Sequence, residues 1–288
     1  MARHPQPLRC ATVPVSRREL MGLWGLGLVA VLADCGTSGA SRPPPRSPAP
    51  LDRLSRHRPG PGINPGSASK ATFPPPHPGP ATVSYAGPAG SRHIALTIDD
   101  GFDPATVSAY VEFARRTGTH LTFSPNGRYA DVWARHAPVL RPLIAAGRVQ
   151  IGNHSYSHRD LRRLPDAVVR EEIERNEAWI QLTFGTTSRP WFRPPYGSCD
   201  ARTDELAGAT GFTRVLMWNG SLGDSRLLTP DVLLTQARRY LQPGTVMLGH
   251  ANHLTITRLF DAVLELLRER DLRPVTLDEM FGTSRRIG

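Results

Sequence analysis

Between residues 91 and 288 the sequence repeats one alternation about seven times: a short apolar run, then a stretch with helical spacing. The apolar runs are 93–99, 120–124, 149–152, 191–193, 213–218, 245–248 and 273–276. The helical stretches are 104–117, 130–135, 138–146, 165–184, 201–210, 230–241 and 254–270. Strands separated by helix-length connections pair in parallel, since a tight hairpin can only join antiparallel strands. The alternation predicts an α/β domain, either an open doubly wound sheet or a small (β/α) barrel. Periodicity alone does not choose between the two.

The chain upstream is of another kind. Arg3, Arg9, Arg17 and Arg18 precede an apolar stretch of 14 residues, 20–33. That length suits a signal-peptide core and is too short for a bilayer span. Ser16-Arg17-Arg18-Glu19-Leu20 resembles a twin-arginine export signal, and Leu32-Ala33-Asp34-Cys35 resembles a bacterial lipoprotein box with Cys35 as the lipidated residue. Asp34 departs from the small residue usual before that Cys. Residues 1–35 are therefore expected to be an export signal with a lipobox, with an ordinary secretory signal or an uncleaved anchor as alternatives. Residues 36–90 carry 14 of the 28 prolines, with Gly and Ser filling much of the rest. Such a segment buries too little apolar surface to offset its ordering entropy, so it is expected to be an extended tether.

The formal charge of +10 invites a nucleic-acid reading, but its distribution argues against one. Residues 1–90 hold 10 basic and 3 acidic residues, whereas residues 91–288 hold 25 and 22. Three cysteines exclude a disulfide framework. Cys199 is expected to be an unpaired, non-catalytic thiol. Trp133, Trp179 and Trp191 are expected in the core, with stacking on a sugar as an alternative for one of them. His120 and His136 are read as ordinary surface or core residues.

Parallel α/β folds place their chemistry at the carboxyl ends of the strands. Five expected strand ends here carry reactive residues: Thr97-Ile98-Asp99-Asp100-Gly101, His154-Ser155-Tyr156-Ser157-His158, Arg193-Pro194-Pro195-Tyr196-Gly197, Trp218-Asn219 with Asp224 beyond, and Leu248-Gly249-His250. Each alone has a plain structural reading. Asp99 and Asp100 suit a helix N-cap, Arg193 suits a structural ion pair, and Tyr196 suits packing beside two prolines. His154 and His158, four apart, suit joint ligation if their segment turns helically. Two His and one Asp leave a zinc-like ion an open position for water, as hydrolysis requires.

Taken together, Thr97–Gly101, His154–His158, Arg193–Gly197 and Leu248–His250 resemble four motifs of the polysaccharide deacetylases, the NodB-homology enzymes of carbohydrate esterase family 4. The likeness runs over roughly residues 91–280, in the family's order. It implies a distorted (β/α) barrel of about seven parallel strands. It also implies a divalent ion, zinc first with cobalt or nickel as alternatives, on Asp100, His154 and His158. Asp99 resembles the general base and His250 the general acid, with His253 a competitor for that role. Arg193 would pair with Asp99, and Asp224 would orient His250. A backbone amide near Tyr196 would hold the oxyanion, and Leu248 would line the acetyl pocket. Where the family commonly has Asp-Trp, this chain has Asp224-Ser225, so Trp218 becomes the candidate pocket wall. Ser124-Pro125-Asn126-Gly127 also departs from the usual apolar strand continuation.

The resemblance implies an N-deacetylase of a cell-wall or related polymer such as peptidoglycan or chitin. The alternatives are an O-acetyl esterase, another amide hydrolase of the superfamily, and a sugar-binding lipoprotein on the same scaffold. The expected partners are a polysaccharide and, through a lipid or signal anchor, the outer face of the cytoplasmic membrane. No nucleic acid is expected, and the protein is expected to be a monomer.

Overall fold

The computed structural model describes residue 73 and residues 75–283. The export signal, Cys35 and most of the tether lie outside the described residues. The elements run β1 (Thr82–Ser84), β2 (His93–Asp100), α1 (Pro104–Thr117), β3 (Leu121–Pro125), α2 (Ala130–Ala134), α3 (Ala137–Ala145) and β4 (Val149–Ile151). They continue with α4 (Asp166–Phe184), β5 (Trp191–Phe192), α5 (Ala201–Ala209), β6 (Arg214–Leu216), β7 (Gly220–Ser221), α6 (Pro230–Tyr240), β8 (Val246–His250), α7 (Phe260–Glu269), β9 (Arg273–Val275) and α8 (Leu277–Phe281).

Every ladder among the described residues is parallel, as the alternation requires. One sheet has the order β1-β6-β5, and the other β4-β3-β2-β8-β7 with β9 added to β2. A parallel bridge from Asn153 to Phe192 joins β4 to β5. The order then runs on through β1-β6-β5-β4-β3-β2-β8-β7, in keeping with a distorted barrel. No ladder among the described residues joins β7 to β1.

Three expectations about boundaries change. β1 lies inside the segment expected to be tether, and its residues pair with Arg214–Leu216, so the ordered domain begins before residue 91. Val83 is buried among Phe192, Phe212 and Val215, which anchors this strand to the domain. The strand expected over 213–218 ends at Leu216, and β7 starts a separate ladder with β8. The helix expected over 254–270 opens as a 3₁₀ turn, Leu254–Leu259, before α7. The β-branched run Thr255-Ile256-Thr257 disfavours α-helix there.

β2 is the centre of the larger sheet, and seven of its eight residues are buried. Its two faces differ in chemistry. Ile94, Leu96 and Ile98 join the core formed with Val107, Tyr110 and Val111 of α1. Ala95, Thr97 and Asp99 point to the opposite side. Burying each large apolar side chain contributes about 1.5–3 kcal/mol, enough to fix the strand's facing. α1 is fixed at both ends: Asp103 accepts from the Thr106 amide at 2.8 Å, Pro104 opens the helix, and Gly118 ends it at φ 68. Among the described residues no helix is long and apolar enough to cross a membrane.

Candidate active site

The register of β2 against β8 sets Asp99 beside His250 and Thr97 beside Leu248. The β2–β3 register sets Asp99 beside Ser124. Asp99 and Asp100 do not cap α1, because Asp103 holds that place. The backbone turns at Asp100, which sits at φ 64, and both carboxylates reach His154 Nε2, Asp99 Oδ2 at 3.7 Å and Asp100 Oδ1 at 3.6 Å. The turn is held by Trp133, whose Nε1 donates to the Asp100 carbonyl at 2.9 Å. Gly101 is required here: it has φ +100, and a Cβ would lie 2.3 Å from that same indole nitrogen.

His154 and His158 meet by another route than the expected helical turn. Residues 152–160 form no helix. Ser155 and His158 adopt positive φ (60 and 56), and this doubles the chain back so that the rings stand 4.9 Å apart. Buried amides replace helical hydrogen bonds in holding the loop. Asn126 donates to the carbonyls of His154 (2.6 Å) and Ser155 (2.9 Å), and Asn153 accepts from the Ser155 amide (3.0 Å). Glu172 accepts from the Ser157 amide at 2.8 Å. The departure at Ser124-Pro125-Asn126-Gly127 thus supplies a brace for the histidine loop. Its signal in the sequence is a polar residue directly after a strand.

Asp100, His154 and His158 each offer one donor atom, all within 4.8 Å of one another. Asp100 Oδ1 is buried without a hydrogen-bond partner, 3.6 Å from His154 Nε2 and 3.3 Å from His158 Nε2. An orphaned buried carboxylate oxygen is costly unless a cation takes it. His154 Nδ1 lies 2.7 Å from the Arg193 carbonyl, which fixes the proton there and leaves Nε2 as a lone pair for ligation. Burial and the neighbouring His154 lower the His158 pKa to about 4, against the pull of Asp100 and Asp99, so its ring is neutral at pH 7. The donor set therefore fits a divalent ion of the zinc type.

Arg193 is 1% exposed and Asp99 2%. The guanidinium donates from Nη1 to Asp99 Oδ1 (2.8 Å) and Thr97 Oγ1 (2.9 Å), and from Nε and Nη2 to the carbonyls of Leu216 and Met217 (both 3.3 Å). Burial works to raise the Asp99 pKa. Arg193, His154 and His250 outweigh it and hold the carboxylate below its usual range. His250 donates from Nδ1 to Asp224 Oδ1 at 2.9 Å, and its amide to Asp224 Oδ2 at 3.1 Å. Burial would lower the His250 pKa, but Asp224, with Asp99 and Asp100, raises it above the ordinary value.

His253 does not share the Asp224 position. It packs edge-on against Phe102, with ring centroids 5.7 Å apart. Tyr196 is 70% exposed, so it is not a packing residue. It sits at φ 61 on a turn where its ring meets His158 at 4.6 Å. Trp218 lies near that turn, since a Cβ on Gly197 would come 2.7 Å from its ring, and it stands 5.9 Å from the Arg193 guanidinium. Leu248 is buried two residues before His250, on the strand face that alternation gives to both. Trp133 and Trp191 are core residues as expected, Trp191 donating to Asp278 at 2.7 Å. Cys199 is disulfide-bonded, which corrects the expectation of an unpaired thiol.

A three-donor cluster beside an ion-paired carboxylate and a His–Asp pair, all at one rim of parallel strands, is the equipment of a metal-assisted hydrolase. The family model described as polysaccharide deacetylase matches residues 86–215. A relative in Streptomyces coelicolor, itself uncharacterised, is 32% identical over 191 residues, covering 64% of this chain and 71% of that protein. A peptidoglycan-N-acetylglucosamine deacetylase of Bacillus cereus is 26% identical over 206 residues, covering 70% and 73%. The solved structure of a family 4 carbohydrate-esterase pseudoenzyme from Bacillus anthracis is similar at TM-score 0.62 and 25% identity, covering 70% and 69%. The chain belongs to the polysaccharide deacetylases of carbohydrate esterase family 4. The family match stops before Trp218, Asp224, Leu248 and His250, which rest on the geometry above.

Proposed function

We propose that this protein is a metal-dependent N-deacetylase of an N-acetylglucosamine polymer of the cell wall, acting outside the cytoplasm from a membrane anchor. The observation that carries the reading is that Asp99, paired with Arg193, adjoins both the Asp100–His154–His158 cluster and the His250–Asp224 pair. The Bacillus cereus relative supports the substrate class. An ion on Asp100, His154 and His158 would supply polarisation of the acyl carbonyl and acidification of water. Asp99, kept ionised by Arg193, takes the proton of the attacking water. His250 gives its Nε2 proton to the departing amine, which leaves poorly unless protonated, and Asp224 holds the ring in the tautomer that allows this. The turn at Tyr196 supplies the backbone amide for the oxyanion. Leu248 and Trp218 wall the acetyl group, Trp218 in the place that Ser225 leaves open.

Acetate release by the full chain from N-acetylglucosamine oligomers and from purified peptidoglycan tests this reading. Release abolished by a chelator and restored by zinc is the expected result. A folded, zinc-loaded chain that releases no acetate but retains the oligomer would instead favour sugar binding, as the pseudoenzyme relative makes pertinent. Release from O-acetylated xylan alone would favour an esterase. Location is tested separately: Cys35→Ser should free the protein from the membrane, and Arg17→Lys with Arg18→Lys should block twin-arginine export. An unaltered distribution in both would remove the anchor and the route.

A further inference from the structure

Asp100 has two carboxylate oxygens in contrasting states. Oδ1 is the buried, unpartnered atom facing His154 and His158. Oδ2 accepts from Asn252 Nδ2 at 2.7 Å. Asn252 is 6% exposed and lies two residues beyond His250. Its other amide atom is also engaged: Oδ1 accepts from the Gly101 amide at 3.2 Å and reaches the Phe102 amide at 3.5 Å. One side chain thus clasps the carboxylate and the backbone just after it, across about 150 residues of sequence.

Trp133 and Gly101 fix the Asp100 main chain, but among the described residues Asn252 alone hydrogen-bonds its carboxylate. Asn252 is itself placed by β8, because the Ala251 amide donates to the Asp99 carbonyl at 3.0 Å. With Oδ2 occupied by a donor, Asp100 can offer an ion only Oδ1. A ligand with two equivalent free oxygens would rotate and could bind through both.

We infer that Asn252 is a positioning residue that makes Asp100 a one-oxygen metal ligand, by holding Oδ2 and presenting Oδ1 to the two histidines. The inference rests on the metal-dependent reading proposed above, but it concerns ligation and not turnover. Partners of this kind fix ligand orientation, and their loss weakens metal binding by about 10–100-fold.

The test uses the full chain, stripped of metal, with zinc affinity measured by competition against a chromophoric chelator. Asn252→Ala should bind zinc about 10–100-fold more weakly while its metal-free melting curve still reports a folded protein. In an Asp100→Ala background the same substitution should cost no further affinity, because its effect passes through Asp100. Wild-type affinity in Asn252→Ala, or the same loss with and without Asp100, would overturn the inference. If Asn252→Ala does not fold, Asn252→Asp is read instead, since it keeps an acceptor for the Gly101 and Phe102 amides and replaces the donor to Asp100 with a second carboxylate. Its cobalt absorption spectrum should differ from wild type, and an identical spectrum would overturn the proposal. A wild-type chain that takes up no zinc would overturn both this inference and the metal-dependent reading. Zinc uptake without acetate release would remove only the deacetylase reading.

Discussion

The carbonyl oxygen of Arg193 lies 2.7 Å from Nδ1 of His154, while the guanidinium of the same residue holds Asp99 at 2.8 Å. One residue therefore sets the tautomer of a metal-ligand candidate through its backbone and the charge of the base candidate through its side chain. Removing the guanidinium leaves a buried, unpaired carboxylate, a change that costs about 3–5 kcal/mol in other buried pairs. Arg193→Ala should show that loss in urea unfolding together with lost turnover. Arg193→Lys should recover part of the stability but little of the rate. It keeps the charge but not the fork that reaches Thr97, Leu216 and Met217.

Asp99→Asn separates proton transfer from ligation. Losing a general base lowers rate by about 10²–10⁴-fold. Zinc affinity, measured on the same sample, should stay close to wild type because Asp99 is outside the three-donor set. Retained acetate release would take Asp99 out of the base role.

The acid limb of the mechanism has a definite sign. His250 has a raised pKa, so its protonated form persists above the ordinary value of 6.5 and is lost as pH climbs through the folded pKa. Acetate release should therefore fall on the alkaline side. Asp224→Asn, which removes the main group raising that pKa, should shift the falling limb to lower pH and reduce the plateau rate. His253→Ala should leave the limb where it is, since His253 contacts Phe102 and not Asp224. A limb that moves with His253 would reverse the assignment.

Gly101→Ala should be disproportionately damaging for the gain of one methyl. It combines strain at φ +100 with a clash against Trp133. The backbone term alone is about 1–3 kcal/mol. Calorimetric melting should show the loss, and zinc affinity should fall with it because Asp100 shares the turn.

The outline of the domain was legible because parallel strands buried on both faces read as apolar runs, and reactive residues at their ends stand out against them. Asp99, Asp100, His154, His158, Arg193 and His250 could be picked out that way. The helical route to the His154–His158 pair was wrong, because positive φ at Ser155 and His158 leaves no pattern of spacing. The hydrogen bonds of Asn126 and Asn252 were not legible for a related reason. Their partners lie about 28 and 151 residues away, and hydrogen bonds between such distant segments have no periodicity. β1 was hidden by its proline-rich surroundings, since three residues fixed by a neighbour's edge carry almost no local signal.

Order of synthesis gives the β2–β8 ladder a further meaning. Asp100, His154 and His158 are all polymerised before residue 160, whereas His250 at the end of β8 and Asn252 just beyond it come after more than four-fifths of the chain has been made. A nascent or truncated chain lacking β8 has the three donors but neither the proton donor nor the clasp on Asp100. Both deficits are made good by one short segment, because the orienting amide and the acid lie two residues apart.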